Sequence, residues 1–349
     1  MSDRSNRIIV WYSIILGLFS MALMLYHSLN KEIEDKREPQ KSVEQQLNSV
    51  GIDGIYDDVY QKRNLQKPLT FSLPSMEVAA QAVIIEKFAN HCVQVCFEGL
   101  PEDYFENTKL TGSVDGVKDI ICQYKDGTTI VSIYLTEVFA CIQKKKDKDI
   151  TIEFKPLREV YDKIIVVDSG HGGEDMGNVV GDMREKDINL SVVLKLKEMM
   201  DNTDIKVLYT RLDDETIDNQ ARSALANEVN ADLFLSVHCG YEQKDETYHG
   251  VMTYYNDTFF IPDFGNADFA YIVEEQVVGA VSGLALGLKP GEKDNDLLKD
   301  SMVPTACIEV GYLSNEAERE SLKQYEYVNR VACGLYSSIV SSYEQMIER

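Results

Sequence analysis

Read for the spacing of apolar and polar positions, the chain falls into four stretches. Ile8 to Tyr26 is a run of nineteen residues without a charge. As a helix it would be about 28 Å long, close to the ~30 Å of a hydrocarbon core. A cleaved signal is the rival reading. Its apolar region is shorter, and it is followed by a small-x-small site that Met24–Leu29 lacks. Residues 1–29 are therefore expected to form an uncleaved transmembrane anchor. From Asn30 to Lys67 apolar residues are sparse among Glu, Lys, Gln and Asp, which predicts a polar stalk over 30–67.

Residues 68–157 change to period two. His91–Phe97 and Thr129–Leu135 alternate, and Asp126-Gly127 stands between Ile120–Tyr124 and the second run, a hairpin signal. The charged run Lys144–Asp149 separates Val138–Ile142 from Ile150–Phe154 and reads as a solvated turn. This stretch is predicted to be a small β-rich domain, and no constellation in it suggests chemistry. Over 160–349 the period changes again. Ile164–Asp168 reads as a buried strand running into a glycine-rich loop, and Ile188, Val192, Val193, Leu196, Met199 and Met200 share one helical face. Further strands are predicted at Lys206–Arg211, Ala231–Cys239, Val251–Tyr255 and Thr305–Leu313. Helices are predicted at Ile217–Val229, within Ala267–Leu286, and in two stretches that close the chain. Strands alternating with helices predict an α/β domain built on a mainly parallel sheet.

Composition narrows the partners. The chain has 349 residues, 44% hydrophobic and 27% charged, as expected of a globular protein of two or three domains. Its net charge is −23, and from Val160 onward 35 Asp and Glu face 16 Lys and Arg. Nucleic acid is excluded as a partner, because phosphate binding needs a basic stripe. The seven cysteines include no close thiol-ligand spacing. Arg4 and Arg7 before the apolar run are balanced by Lys31, Lys36 and Arg37 after it, so charge alone does not orient it.

Two of the five histidines stand where strands are predicted to end, His171 after Ile164–Asp168 and His238 within Leu233–His238. Ligands of open α/β sheets bind beyond the carboxyl ends of the strands, where two imidazoles can converge. Glu185 opens a helix three residues before Ile188 and so faces inward, where a carboxylate needs a partner. Two His and one Glu with an open fourth position form a catalytic zinc set. Glu309 lies in the apolar strand Thr305–Leu313, where a glutamate beside a metal could accept a proton from water and pass it to a leaving amine. Taken singly, each has an ordinary structural reading: a satisfied strand-end histidine, a helix-dipole glutamate, or a buried glutamate paired with Arg211 or Arg222. His249 and the run Asp213-Asp-Glu215 read as surface loop.

Ile164-Ile-Val-Val-Asp-Ser-Gly-His-Gly-Gly-Glu-Asp-Met-Gly177, Arg184–Leu190, Thr210-Arg211, Ala221-Arg222 through Asn227, Ala231–His238 and Ile308-Glu-Val-Gly-Tyr-Leu-Ser-Asn315 follow one another in order. Together they resemble the zinc-dependent N-acetylmuramoyl-L-alanine amidases of bacterial cell walls, over about Lys163–Tyr343. The resemblance implies a six-stranded sheet with helices on both faces. It also implies one Zn²⁺ held by His171, Glu185 and His238, with Glu309 catalytic. The implied activity is hydrolysis of the amide joining N-acetylmuramic acid to L-alanine in peptidoglycan, in wall remodelling, cell separation or sporulation. With the apolar run as an anchor, it further implies a single-pass protein of the cell membrane whose catalytic domain is extracytoplasmic. The β-rich domain could then meet glycan or a wall or division regulator. Three departures stand out: Ser169 where the family usually has Pro, Cys239-Gly240 in place of Ala-Asn, and a short His238–Glu309 interval that predicts no helical plug over the site. Two other readings are a binding protein that has lost catalysis and a zinc peptidase or deacetylase. Retention of all four residues argues against the first, and their order and flanks argue against the second.

Overall fold

The alternating segments of the first half become two antiparallel sheets of four strands each. The computed structural model describes residues 67–101, 103–107, 110–291 and 296–348. β1 (Lys67–Ser72), β4 (Thr111–Ser113), β7 (Phe139–Lys146) and β8 (Asp149–Pro156) form one sheet in the order β4-β1-β8-β7. β2 (Val83–Lys87), β3 (Cys92–Glu98), β5 (Val117–Lys125) and β6 (Thr128–Leu135) form the other, in the order β2-β3-β6-β5. Phe71, Ile150 and Ile152 of the first sheet and Val95, Phe97, Val131 and Ile133 of the second are fully buried. Asp126 (φ 51°) and Gly127 (φ 84°) both take the left-handed conformation that a two-residue hairpin between β5 and β6 requires. The expected solvated turn at 144–149 is shorter than its charge suggested. Lys144, Lys145 and Lys146 end β7, and only Asp147 and Lys148 lie between the strands.

β10 (Val179–Val180) and β11 (Met183–Arg184) pair as a separate two-stranded ribbon, and the other strands form a six-stranded sheet. β9 (Ile164–Ser169), β12 (Lys206–Tyr209), β13 (Leu233–Gly240), β14 (Val251–Tyr255), β15 (Ala285–Pro290) and β16 (Thr305–Tyr312) run in the order β12-β9-β13-β16-β14-β15. All neighbours are parallel except β14 and β16, so the sheet is mainly parallel, as expected, with one antiparallel pair that makes it mixed. The sequence predicts no strand at β15, and only its first two residues fall within the stretch Ala267–Leu286 expected to contain helices. β15 is a short edge strand with Gly287 inside it, directly after a long apolar helix, and its own alternation is too weak to stand out.

The two faces of this sheet are covered differently. On one, Ile165, Val167, Leu235, Val237, Ile308 and Val310 pack against three long helices: Glu185–Met200, Asn266–Val281 and Tyr325–Glu348. On the other, Ile164, Val166, Leu208, Phe234 and Cys307 pack against the short helices Asn219–Glu228 and Asp296–Lys299. Phe88, Val138, Ala140 and Leu157 of the β-rich domain belong to that same cluster. Glu228 ties the domains further, by accepting from Val138 N (2.9 Å) and pairing with His91 (2.8 Å).

The expected single-pass membrane localisation is corrected here. Among the described residues no helix is long and apolar enough to cross a membrane. The longest, Tyr325–Glu348, buries Val328, Val331, Leu335 and Ile339 in the core and leaves the charged Glu326 and Arg330 exposed. The Ile8–Tyr26 run and the stalk, on which that expectation rested, lie outside the described residues.

Candidate metal centre

β9 delivers the chain to a loop that could not be built without its glycines. His171 sits at φ 60°, a left-handed conformation costing a non-glycine residue about 1–2 kcal/mol, followed by Gly172 (φ 136°) and Gly173 (φ 58°). A Cβ at Gly170 would lie 2.3 Å from the His238 ring, and one at Gly177 would lie 2.6 Å from His171 and 2.7 Å from Glu185.

Two buried guanidiniums hold this loop by its carbonyls. Arg211 donates through Nε to the oxygens of Ser169 (2.9 Å) and His171 (2.6 Å), and through Nη2 to those of Gly170 and Lys186 (both 2.9 Å). Arg222 donates to the oxygens of Ser169 (2.9 Å), His171 (3.0 Å) and Ile217 (3.0 Å). It also forms a short ion pair with Asp168, at the end of β9. Asp168 accepts from Thr210 and Ser236 as well, both at 2.6 Å. Burial pushes its carboxyl up, but Arg222, His238 and the two hydroxyls outweigh that and hold it below the usual carboxylate range. Arg211 is lowered too, by burial and then by the charge of Arg222.

Glu185 is the first residue of its helix and is 1% exposed. Its Oε2 accepts from Asn178 N (2.9 Å) and Nδ2 (2.8 Å), and its Oε1 from Cys239 N (3.0 Å). Both imidazoles point at it, His171 Nε2 at 3.2 Å from Oε2 and His238 Nδ1 at 3.0 Å from Oε1. One ligating atom from each of His171, Glu185 and His238 lies within 4.8 Å of the others. Burial would raise the Glu185 carboxyl, yet hydrogen bonds and charge from the two histidines drive it well below its ordinary value. His171 Nδ1 is bonded to Asp175 Oδ2 at 2.7 Å, the carboxylate–histidine arrangement that aims the other ring nitrogen at a metal. Burial lowers His171, but Glu185 and Asp175 more than reverse this and raise it. Two imidazole nitrogens and one carboxylate are a donor set that fits Zn²⁺.

Glu309 stands opposite His238 in the parallel register of β13 and β16. Neither Arg211 nor Arg222 pairs with it; Tyr312 does, donating its hydroxyl to Oε2. Burial raises the Glu309 carboxyl, which the Tyr312 bond and the charges of His238 and Lys289 only partly offset. Gly240 makes room for this partner, since a Cβ there would lie 2.4 Å from the Tyr312 ring. Cys239 points to the opposite side of the sheet, into the helical core. Ser169, in place of a proline, uses its N–H to donate to Thr210 Oγ1 (3.3 Å). His249 is exposed and bonded through Nδ1 to Thr247 O (2.8 Å).

The structure therefore brings together the four residues expected from the sequence. Asp175, Asn178, Arg211, Arg222 and Tyr312 were missed as supports, though Gly172, Gly173 and Gly177 around Asp175 marked the loop. The Asp213-Asp-Glu215 run is not merely solvated. Asp214 accepts from Gly173 N and pairs with Lys186, both at 2.7 Å.

Residues 165–341 match the sequence pattern of a family described as N-acetylmuramoyl-L-alanine amidase. An uncharacterised Bacillus subtilis protein is 28% identical over 183 residues, covering 52% of this chain and 86% of that protein. An N-acetylmuramoyl-L-alanine amidase of Bacillus licheniformis is 29% identical over 174 residues, 49% of this chain and 64% of the relative, so the chain spans just under two thirds of its length. Among solved structures, an N-acetylmuramoyl-L-alanine amidase from Clostridium difficile is 29% identical, with a TM-score of 0.49, over 52% of this chain and 97% of that one.

Proposed function

Since the chain belongs to the N-acetylmuramoyl-L-alanine amidase family, we propose that it uses Zn²⁺ to hydrolyse the amide between N-acetylmuramic acid and L-alanine of the stem peptide, with peptidoglycan as substrate. Residues 160–349 are the catalytic domain in this reading, and 68–157 a β-rich domain that supports it. The observation that carries it is the convergence of His171, Glu185 and His238 within 4.8 Å, with Glu309 on the neighbouring strand.

His171 Nε2, a Glu185 oxygen and His238 Nδ1 would hold one ion, with Asp175 fixing the His171 ring and Asn178 and the Cys239 amide fixing Glu185. Bound there, Zn²⁺ supplies Lewis acidity toward a water and the amide carbonyl. Glu309 accepts the proton of the attacking water and returns it to the alanine nitrogen as the C–N bond breaks. Its raised pKa suits both halves of that exchange, because a carboxyl poised nearer neutrality serves as base and then as acid. Tyr312 occupies Oε2, which assigns the proton transfer to Oε1.

The test is mass spectrometry of a defined muramoyl-peptide incubated with the full chain and Zn²⁺. Free stem peptide beginning with L-alanine is expected, and its release should be lost in Glu309→Gln. Cleavage at another bond, or release undiminished by Glu309→Gln, would overturn the reading.

A further inference from the structure

Lys87 ends β2 of the β-rich domain, and its side chain crosses to the α/β domain. Its Nζ lies 2.8 Å from Glu215 Oε2 and 3.2 Å from Asp213 Oδ2, and the side chain is only 18% exposed. The residues after it form a corner anchored in the other domain. Phe88 is 7% exposed within the apolar cluster of Ile164, Val166, Leu208 and Leu225, while Glu86 pairs with Lys206 at 2.9 Å.

The loop that Lys87 grips is the one against which the His171 loop is laid. Asp214 Oδ1 accepts from Gly173 N, and Lys186 Nζ bridges Asp214 Oδ2 and Gly173 O, all at 2.7 Å. Thr216 Oγ1 accepts from Glu174 N at 3.0 Å. The two loops touch so closely that a Cβ on Gly172 would meet Glu215 O at 2.3 Å and one on Gly173 would meet Thr216 Oγ1 at 2.2 Å. Gly172 is in turn bonded through both its N–H and its carbonyl to Asp175, the partner of His171 Nδ1. Contacts thus run without a gap from Lys87, through 213–216 and 172–175, to His171. Charge gives the link its sense. Asp213, Asp214 and Glu215 are consecutive acids, and Lys186 pairs with Asp214 alone, so without Lys87 the other two carboxylates repel each other across the loop.

We propose that Lys87 is a positioning residue for the metal centre: from the β-rich domain it holds the Asp213–Glu215 loop that fixes His171 in its metal-ready place. The proposal rests on the reading of His171, Glu185 and His238 as a Zn²⁺ site. The β-rich domain is then a fixed part of the active centre rather than a tethered wall-binding module.

The test uses the full chain and compares Lys87→Ala, Lys87→Arg and Glu86→Gln. Zn²⁺ affinity is read by competition with a chromogenic chelator, and amide hydrogen exchange of residues 171–175 is followed in the metal-free protein. Lys87→Ala is expected to weaken Zn²⁺ binding by about threefold to tenfold, less than the ~10–100-fold typical of a direct partner of a ligand. It should also speed exchange in 171–175. Lys87→Arg should restore both to within about twofold, and Glu86→Gln, which weakens the same interface elsewhere, should change neither. Should Lys87→Ala not fold, Glu215→Gln combined with Asp213→Asn removes the same contact from the other side and is expected to give the same loss. A folded Lys87→Ala with wild-type affinity and exchange would overturn the proposal, as would equal losses in Lys87→Ala and Glu86→Gln. Failure of the wild type to bind one Zn²⁺, or binding that survives His171→Ala, would overturn the site reading itself, and the proposal with it.

Discussion

The two domains treat buried charge in opposite ways. Among the described residues of the β-rich domain the buried polar side chains are Thr129 and Ser132, both neutral. The α/β domain buries Asp168, Glu185, Lys186, Arg211, Arg222 and Glu274. All but Glu274 lie within the network around the His171 loop. Ionised groups lose several kcal/mol of solvation on burial, and a protein needing only a stable fold could fill such positions with apolar residues. Their concentration at one end of one sheet is where stability has been given up for chemistry. Substitutions in the two domains should therefore fail in different ways.

The largest expected effect is at Glu309. Glu309→Gln should lower kcat by about 10²–10⁴ with little change in KM, the range for loss of a general acid–base. Because burial raises this carboxyl, its ionised form is held at a cost. The neutral amide should leave Tm unchanged or a few degrees higher. A melting curve beside the kinetics checks both, and a large fall in Tm would break the contrast between the domains.

Arg222→Ala should join loss of stability to loss of function. It leaves Asp168 buried with only the hydroxyls of Thr210 and Ser236, and it removes a donor from the carbonyl of strained His171. About 3–5 kcal/mol of stability should go, measured by urea unfolding, together with Zn²⁺ affinity. The same pair fixes a pH dependence. The Asp168 carboxyl is lower in the folded protein than in the unfolded chain. Its contribution is therefore complete above about pH 3.9 and is lost as the pH falls through the folded value. The stability gap between wild type and Asp168→Asn should narrow over that acid range and be flat from pH 5 to 7.

Leu157→Ala tests the other side of the comparison. Leu157 is 4% exposed and packs in the cluster that covers Ile164, Val166 and Leu208, away from the loops around His171. A loss of about 3 kcal/mol is expected, with kcat per folded molecule unchanged within twofold. A kcat that fell with stability would mean that the whole interface, and not Lys87 alone, sets the site.

These contrasts explain what was legible in the sequence. His171, Glu185, His238 and Glu309 stand beside glycines and apolar runs whose periods place them near strand ends and at a helix start, while the roles expected of them came from the family resemblance. Arg211 and Arg222 entered the sequence reading only as motif members and possible partners of Glu309, because their work is done on carbonyls some forty to fifty positions away. The expected boundary between the β-rich and α/β domains follows a change of period, yet Phe88, Val138 and Leu157 cross it to share a core. Periodicity reports which face of an element is apolar. It does not report which neighbour covers that face, and so nothing in the sequence singles out Lys87.

The smallest effect belongs to the hairpin of the β-rich domain. Gly127 takes φ 84°, and a Cβ there would meet nothing within 4 Å, so Gly127→Ala isolates backbone strain from packing. The cost should be about 1 kcal/mol, the left-handed penalty alone. The turn joins β5 and β6, and β2, which carries Lys87, is at the other edge of the same sheet. Strain that small, released at the far edge, should not reach the loop at 213–216. Zn²⁺ affinity and kcat are therefore expected to match wild type, and a measurable change in either would mean that the sheet transmits strain to the metal centre as a rigid body.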